Sequence, residues 1–381
     1  MAINEVLKKI AFQVYQERAV MPEKLRTNYR IERVNGGLLC DLWFLTVGCI
    51  HDSHGGCVMC NYGKSCGKIN QTRILKELEN IVDRLPWEFE DFLLTPSGSM
   101  LDEREVSNDM RQALVPILQK VKAKRFIIET RVDTITDSGI SFLKSVVPEA
   151  EKYIEIGVES SDDWILKNCI NKGSTFAQFK DVVKKLHKNE IYVTANIGLG
   201  YPFMSERASI KNTIQAIKDA LNVDADSIVL FPYHIKRGTV LEKLHKMGMY
   251  ESVSLWALVE VLANFSKVEL QKIQISWYKD YFGEERSLIY HSPQTCSQCY
   301  QQVIEELDRY RDTQDISCVE KLESISCVCK QEWKASIESQ SKKIEMDTVE
   351  QAYRKIGEEY KIDNNTLECT IDNMYREYAG R

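Results

Sequence analysis

Residues 44–67 read FLTVGCIHDSHGGCVMCNYGKSCG and overlap the end of the apolar run LLCDLWFLTV at 38–47. The apolar run has the length and composition of a buried β-strand, and the segment after it holds four cysteines, two histidines and five glycines. In α/β proteins, sites lie in the loops at the carboxyl ends of parallel strands. The stretch therefore predicts an α/β fold with a site after its first parallel strand.

The rest of the chain to residue 276 repeats this strand pattern with helical intervals. The strand-like runs are LLCDLWFLTV, DFLLTP, RFIIET, YIEIGVES, IYVTANIGLG, DSIVLFP and KIQIS. Intervals such as TRILKELENIVDRL and TFAQFKDVVKKLHKN carry apolar residues at three- and four-residue spacing, as amphipathic helices do. The alternation predicts parallel strands covered by helices on both faces. A full barrel, a partial barrel and an open doubly wound sheet all fit it.

The composition of the chain changes near residues 285–290, where paired cysteines and charged helical segments begin. We therefore predict three parts: a helical N-terminal lead-in over residues 1–37, an α/β barrel domain over 38–288, and a Cys-containing, mostly helical extension over 289–381.

Charge and hydropathy narrow the function classes. The 381 residues carry a formal net charge of −6, so a nucleic acid would have to bind a local patch. The N-terminal MAINEVLKKIAFQVYQERAV lacks the uninterrupted apolar core of a signal peptide and predicts an amphipathic helix. Because no run approaches about 18 apolar residues, we expect a cytoplasmic chain with no membrane partner.

The chain has twelve cysteines, and their clustering favours metal binding or catalysis over disulfides, which the cytoplasm keeps reduced. One cluster comprises Cys49, Cys57, Cys60 and Cys66, and a later one comprises Cys296, Cys299, Cys318, Cys327 and Cys329. Cys40, Cys169 and Cys369 are scattered, and we interpret them as buried apolar thiols.

Spacing alone leaves two interpretations of the early cluster open. Cys57 and Cys60 form a close pair, with Cys49 separated from Cys57 by seven residues. Structural zinc sites usually take two close pairs. Three thiolates on one loop, with glycines that let the backbone turn tightly, suit an iron–sulfur cluster that keeps one iron without a protein ligand.

Tyr62, two residues after Cys60, gives the loop its resemblance to the radical S-adenosylmethionine (radical SAM) enzymes. The long first gap resembles the Elp3 and archaeosine-forming members of the Elp3/MiaB/NifB-like group. The resemblance implies a partial (β/α)6-type parallel barrel, with Cys49, Cys57 and Cys60 binding a [4Fe-4S] cluster and Tyr62 contacting the adenine of S-adenosylmethionine. Cys66 is then a loop thiol, because a fourth ligand would block the open iron.

Later strand ends resemble the family's cofactor-binding segments. The resemblance implies cofactor contacts from TPSGSMLDEREV, IIETRVDTIT, EIGVESSDDWILKNCINKGST and NIGLGYPF. The residues implied are Ser97, Gly98, Ser99, Glu129, Arg131, Glu159, Asn196, Ile197 and Gly198. Ser97–Ser99 stand where the family commonly carries a Gly-Gly-Glu type motif, and this triplet has no acidic residue. A plain turn ahead of a helix is the alternative for it.

The segment LFPYHIKRGTVLEKLHKMGMYESVSLWALVEVL, at 230–262, resembles the archaeosine-forming enzymes more specifically. The usual proline pair before Leu255-Trp256 is absent here. The resemblance implies a lyase or oxidoreductase that receives electrons from a flavodoxin- or ferredoxin-type donor and makes a 5′-deoxyadenosyl radical. In that family the radical acts on a lysine adduct of a 7-deazaguanine base in tRNA, breaking a carbon–nitrogen bond.

The same segment contains the candidate substrate contacts, and two rival functions for the chain stay open. His234, Lys236 and Arg237 are the candidate substrate contacts, with a solvated turn as the alternative for the two basic residues. One rival interpretation is a family member that modifies a free small molecule, nucleoside or peptide. Another is a non-catalytic metal-binding scaffold, which would not need the polar residues at the strand ends.

The late cysteines predict a second metal site of open identity. Cys296 and Cys299 are paired as in TCSQC, and Cys327 and Cys329 are paired as in CVCKQEW. The one-residue gap of the second pair is unusual for a zinc ribbon. An auxiliary iron–sulfur cluster, a structural zinc and free thiols are the three alternatives.

Overall fold

The seven predicted strands form one parallel sheet whose spatial order follows the chain. The computed structural model describes residues 3–18, 26–63, 70–85, 88–281 and 288–381. Its strands are β1 Thr27–Val34, β2 Gly37–Phe44, β3 Phe89–Pro96, β4 Ala123–Thr130, β5 Glu151–Glu159, β6 Ile191–Leu199, β7 Ser227–Pro232, β8 Ile235–Lys236, β9 Ile273–Ile275 and β10 Ile289–His291. The main sheet runs β1 to β7 and then β9, and it curls into a half-barrel. The predicted α/β partial barrel is confirmed.

Helices cover the outside of this sheet and make up most of the C-terminal region. They are α1 Glu5–Glu17, α2 Ile50–Ser53, α3 Gln71–Val82, α4 Asn108–Leu118, α5 Asp137–Ser145, α6 Asp163–Ile165, α7 Phe176–His187, α8 Glu206–Asn222, α9 Val240–Lys246, α10 Leu255–Leu262, α11 Lys267–Leu270, α12 Tyr300–Thr313, α13 Ile316–Ser324, α14 Val328–Ser339, α15 Met346–Glu359 and α16 Asn364–Ala379. A 3₁₀ turn at Val132–Thr134 and a π-helical turn at Leu166–Ile170 complete the helical segments. No described helix is long and apolar enough to cross a membrane.

Side chains along each strand point alternately to the apolar core outside the sheet and to the interior of the barrel. In β2, Cys40, Leu42 and Phe44 are fully buried in the layer between sheet and helices. The alternate residues Asp41 and Trp43 line a cavity inside the barrel. This period of two places polar side chains inside the barrel without interrupting the apolar outer layer.

The predicted helical lead-in is only partly helical. The amphipathic helix is α1, whose N-cap Asn4 accepts a hydrogen bond from the backbone N–H of Leu7 at 3.0 Å. The prediction is wrong for β1, which pairs antiparallel with β2. Asn35 and Gly36 join the two strands with φ values of 52° and 73°. An Asn-Gly pair with both φ positive is the favoured two-residue hairpin turn, so the signal was present in the sequence.

The helix α12 lies across the open side of the half-barrel, between the edge strands β1 and β9. Arg311 near its C-terminal end donates to Glu32 Oε1 on β1 at 2.6 Å and to the carbonyl of Ile275 on β9 at 3.2 Å. The Tyr310 hydroxyl donates to the carbonyl of Ile273 at 2.7 Å. These contacts cover both edges, which would otherwise expose unpaired backbone groups.

The last two helices pack on the other side of the molecule, against α1. The side-chain amide of Asn4 donates to the Tyr353 hydroxyl of α15 and to Asn168 Oδ1, both at 2.9 Å. A second apolar cluster, which includes Val349 and Ile371, lies around this contact. The chain from 289 onward is therefore mostly helical, as predicted, and several of its helices pack against the barrel region.

Candidate active site

The cysteine loop follows β2 at the carboxyl end of the barrel. Cys49 caps α2, and its backbone N–H donates to the Tyr62 carbonyl at 2.9 Å. Gly48 has a φ of +95°, and a Cβ there would lie 2.4 Å from the Gly63 carbonyl oxygen. Only glycine allows the two ends of the loop to approach this closely. Cys66 lies outside the described residues.

Polar side chains from elsewhere in the chain fix this loop. The Asn171 amide donates to the Gly55 and Gly56 carbonyls at 2.7 and 2.9 Å. Asp52 accepts from the Gly63 N–H and from Arg18, both at 2.5 Å. These groups are nearly all buried, so the loop is held by satisfied hydrogen bonds and an ion pair.

The three predicted ligands fit a cluster better than a single ion. Among the described residues, one group of cysteine, histidine or acidic side chains brings its ligand atoms within 4.8 Å of one another, and it does not include Cys49, Cys57 or Cys60. Their sulfurs are thus spread more widely than the ligands of one tetrahedral ion. Burial raises the pKa of each of these thiols to about 12. Three buried thiolates need a positively charged group between them, and an iron–sulfur cluster meets that need.

The triplet Ser97–Ser99 and Arg131 form a network directly beside Cys49. Arg131 Nη1 donates to Cys49 Sγ at 3.4 Å and to Ser99 Oγ at 3.1 Å. Its other nitrogens bond Asp102 Oδ2 at 2.5 Å and Asp133 Oδ1 at 3.1 Å. The Ser97 hydroxyl accepts from the Thr46 N–H at 2.8 Å. All guanidinium nitrogens of Arg131 are therefore engaged within the protein, and the residue acts on the ligand loop.

Glu105, which sequence reasoning missed, joins this network to the loop. Its Oε1 accepts from the Ile50 N–H at 2.9 Å and from Arg131 at 2.5 Å, and its Oε2 accepts from the Ser99 N–H at 2.5 Å. A Cβ at Gly98 would lie 2.1 Å from Oε2. The triplet has no acidic residue of its own. Glu105, seven positions after Gly98 and on the other side of a turn, supplies a carboxylate to it.

Glu159 is the last residue of β5, at the same end of the barrel as the cysteine loop, and its charge is paired. Its carboxylate accepts from Lys172 Nζ at 2.9 Å and from the Tyr233 hydroxyl at 3.0 Å. Tyr233 also explains Gly198, because a Cβ there would meet its hydroxyl oxygen at 2.3 Å. Ile197 is fully buried in the outer core, so only its backbone is available to a ligand.

A cavity of about 540 Å³ leads from the cysteine loop through the barrel interior. This volume lies within the range of small-molecule sites, ~300–1,000 Å³. Cys60 and Tyr62 line its upper end, and Arg125 and Asp226 line the end at the strands' amino termini. The cavity therefore connects the ligand loop with a polar interior.

Two carboxylates, Glu129 and Glu155, lie side by side in this interior. They are register partners on β4 and β5 and point into the same cavity. Glu129 accepts from the Thr95 hydroxyl, and Glu155 accepts from the Asn196 amide at 3.5 Å. Burial, then the neighbouring Glu129 charge, raises the pKa of Glu155 to about 8, and burial also raises the pKa of Glu129. Within the described ranges, neither forms an ion pair with a lysine or arginine.

Acceptor atoms around this pair also lack partners. Asp41 Oδ1, Asn196 Oδ1 and Gln274 Oε1 are buried, line the cavity and have no hydrogen-bond donor within the described part of the chain. Buried acceptors are usually satisfied, so the interior is complementary to a ligand rich in donors. Sequence reasoning assigned Glu129 to the cofactor and did not identify Glu155 or Asp41.

The three candidate substrate contacts differ in position. Lys236 lines the cavity, with its Nζ 4.9 Å from the Tyr62 ring centre and 5.1 Å from that of Trp277. His234 lines it too, but its ring nitrogens bond the Trp277 carbonyl and the Ser292 hydroxyl, and burial lowers its pKa to about 4. Arg237 is exposed and stacks on Tyr290. Of the three, Lys236 is placed to meet a ligand.

Comparison with known proteins shows which proteins the chain resembles. No protein-family model matches the chain. Archaeosine synthase subunit beta of Methanosarcina acetivorans is 28% identical over 300 residues, covering 77% of this chain and 84% of that protein. The protein of the same name from Thermococcus kodakarensis is 27% identical over 309 residues, covering 77% and 90%. The chain therefore resembles archaeosine synthase beta subunits over more than three quarters of both sequences. The predicted resemblance to the archaeosine-forming enzymes is confirmed.

A solved structure with a similar fold is that of Methanocaldococcus infernus Elp3 with an N-terminal deletion. It aligns with a TM-score of 0.46 and 16% identity, covering 63% of this chain and 58% of that chain.

In the candidate site, the predicted residues separate into two groups. The triplet and Arg131 surround the Cys49 side of the loop, whereas Tyr62, Glu129, Glu159, Asn196 and Lys236 line the cavity. The late cysteines Cys296, Cys299, Cys327 and Cys329 also come together, away from this site. Cys40 and Cys169 are buried as predicted, but Cys369 is exposed on α16, so the prediction of a buried thiol was wrong there.

Proposed function

We propose that this chain is a radical SAM enzyme that cleaves a carbon–nitrogen bond of a lysine-modified 7-deazaguanine in tRNA, as in archaeosine formation. Two findings support the proposal: the likeness to archaeosine synthase beta subunits over most of both chains, and the acceptor-rich cavity below the cysteine loop.

The pair Glu129 and Glu155 carries the proposal. Adjacent buried carboxylates repel each other and are costly unless a cation joins them. A lysine substituent supplies an ammonium group, which matches two carboxylates and the unpartnered oxygen of Asp41. Binding of that cation would lower the pKa of both glutamates and remove the cost of their proximity.

Cys49, Cys57 and Cys60 would hold the [4Fe-4S] cluster on its loop. The cluster and S-adenosylmethionine, when bound, supply one-electron cleavage of the sulfonium and a 5′-deoxyadenosyl radical that abstracts hydrogen from the substrate. The chain supplies position and shielding: Arg131 and Glu105 fix the loop at Cys49, and Tyr62 and Trp277 bracket Lys236 at the entrance to the interior. A substrate between the loop and Glu155 would be enclosed by the barrel, away from water.

Partners follow from the same assignment. The relatives are named as beta subunits, and we propose that this chain too works with a second subunit as well as with tRNA. An electron donor of the flavodoxin or ferredoxin type would reduce the cluster. We assign catalysis to the barrel domain, residues 38–288, with 289–381 as its extension.

The test is conversion of tRNA that carries the lysine-modified base. The chain is reconstituted anaerobically with iron and sulfide and incubated with dithionite, S-adenosylmethionine and this tRNA, and digested nucleosides are analysed by mass spectrometry. We expect a formamidine-type base, and a product yield that falls at least tenfold in Glu155→Gln. Unmodified tRNA is the control.

The rival function is modification of a free molecule. The same assay with the free lysine-modified base or nucleoside separates the two. Faster conversion of the free compound than of the tRNA, or conversion of neither with normal 5′-deoxyadenosine release, would contradict the tRNA assignment.

A further inference from the structure

Four cysteines in the C-terminal extension bring their sulfurs into one compact group. The Sγ atoms of Cys296 and Cys299 lie 3.7 Å apart, and those of Cys327 and Cys329 lie 3.5 Å apart. Across the two pairs, the Cys296–Cys327 and Cys299–Cys329 sulfur distances are both 3.5 Å. These four separations are alike, and all four sulfurs lie within 4.8 Å of one another, so they form one compact group.

These distances discriminate between the metals considered for the site. With zinc–sulfur bonds of about 2.3 Å, a tetrahedral site has sulfur–sulfur edges of about 3.8 Å. A cluster of several irons divides the four thiolates among two or more irons, so the sulfurs on different irons lie farther apart than in a one-ion site. The observed group is already as small as a one-ion site. We propose that Cys296, Cys299, Cys327 and Cys329 bind a single zinc ion.

The local backbone suits four thiolates. Cys299 caps α12 and Cys327 caps α14, so both pairs lie at the amino end of a helix of 12 or 14 residues, where partial positive charge favours anions. The N–H groups of Cys299 and Tyr300 turn back to the Cys296 carbonyl at 3.2 and 3.0 Å, which closes the first pair. The one-residue gap of the second pair is accommodated because α14 starts within it.

A tryptophan of the barrel supports the group from outside. The indole N–H of Trp256 on α10 donates to Cys329 Sγ at 3.4 Å, and Lys330 Nζ lies 4.8 Å from the Trp256 ring centre. Trp256 is 1% exposed. A buried donor aimed at a sulfur stabilises the thiolate form that a metal needs. The same contact ties the four-cysteine group to the wall of the barrel.

The position of α12 gives the site its role. The helix starts at the four-cysteine group, and Arg311, about 17 Å further along it, bonds both edge strands of the half-barrel. Arg311 and Gln314 also line the lower end of the cavity. Zinc at the first end would therefore hold the helix that closes the open side of the barrel.

Metal analysis tests the proposal without any turnover. The purified wild-type chain, reconstituted anaerobically, should contain about one zinc and about four irons, the irons belonging to one cluster. Replacement of zinc by Co²⁺ should give the visible absorption of a tetrahedral cobalt–thiolate site. About eight irons with no zinc, a lone iron in place of zinc, or no metal beyond four irons would each overturn the proposal.

Variants locate the ion and test its role. The double change Cys327→Ser and Cys329→Ser should lose the zinc and keep the four irons, and Cys369→Ser, an exposed lone thiol, should keep both. Hydrogen exchange should rise at least tenfold in α12, β1 and β9 of the double variant. Unchanged exchange in a zinc-free protein would contradict the anchoring role. If the double variant does not fold, exchange in the chelator-treated wild type gives the same comparison.

Discussion

The guanidinium of Arg131 donates a hydrogen bond to the sulfur of Cys49 across 3.4 Å, from the end of β4 to the loop after β2. Arg131 thus reaches a proposed cluster ligand directly, while Asp102, Asp133 and Glu105 hold the arginine in place. Hydrogen bonds to a ligand sulfur tune the affinity and potential of an iron–sulfur cluster. The loop and the strand end therefore form one unit.

Replacing Arg131 by glutamine should remove the hydrogen bond that joins the end of β4 to the cysteine loop. We expect the cluster's reduction potential to become more negative, because the sulfur loses a donor, and iron binding to fall about 10–100-fold. Anaerobic titration followed by electron paramagnetic resonance measures the potential, and iron analysis measures the loading. Arg104→Gln is the matched control, since Arg104 also bonds Asp102 at 2.7 Å but has a side chain 63% exposed. Equal potentials and loading in both variants would contradict the role of Arg131.

The raised pKa of Glu155 should make the stability of the folded protein depend on pH. Its pKa in the folded chain, about 8, lies above the ~4.3 of an unfolded glutamate. The folded protein therefore binds the proton more tightly, and the stability that this provides is lost as the pH rises from about 4.3 through 8. The loss is about 5 kcal/mol at most, since one pKa unit corresponds to about 1.4 kcal/mol.

Glu155→Gln should weaken this dependence, leaving the part that comes from the raised pKa of Glu129, and should raise the thermal midpoint above that of the wild type at pH 8–9, in the absence of substrate. Glu151→Gln, exposed at the start of the same strand, should behave as the wild type. Thermal melts across the pH range measure both. A Glu155→Gln protein that loses stability with pH as steeply as the wild type would show that Glu155 is not the group responsible.

Gly98→Ala should disrupt the contact between the triplet and Glu105. A Cβ at Gly98, where φ is +152°, would lie 2.1 Å from the Glu105 carboxylate. We expect a loss of about 2–3 kcal/mol in the free energy of unfolding and lower cluster loading. Gly248→Ala is the control, because Gly248 has a φ of +69° with no atom within 4 Å of the added Cβ. It should cost about 1 kcal/mol, the backbone strain alone. Similar losses in urea unfolding of both variants would rule out the steric explanation.

The sequence predicted the strands of the barrel because their outer faces are apolar without interruption. It did not predict β1, although the Asn35-Gly36 turn was readable, because the polar TNYRIERV does not resemble a buried strand. A strand at the edge of a sheet needs less apolar surface, so its composition is a weaker signal.

The site was predictable only where residues lie together along the chain. The cysteine loop is local, so its spacing, together with Tyr62 and the resemblance to the radical SAM enzymes, was enough to propose its ligands. Glu105 folds back to Ser99, and Glu155 meets Glu129 only through the pairing of β4 and β5, which spacing does not specify. His234 was a reasonable candidate, but its ring nitrogens are already bonded by Trp277 and Ser292. Side-chain partners of this kind depend on the register of the paired strands and on the side-chain rotamers, and a single sequence specifies neither.

We propose that three cysteines hold the cluster that cleaves S-adenosylmethionine and that Cys66 is not among them. The most direct measurement is 5′-deoxyadenosine release by cluster-reconstituted protein with dithionite and S-adenosylmethionine. The wild type and Cys66→Ala should release it at similar rates, whereas Cys49→Ala, Cys57→Ala and Cys60→Ala should release none. Release by any of those three variants, or no release by a fully loaded wild type, would contradict the assignment of these cysteines to a cluster that cleaves S-adenosylmethionine.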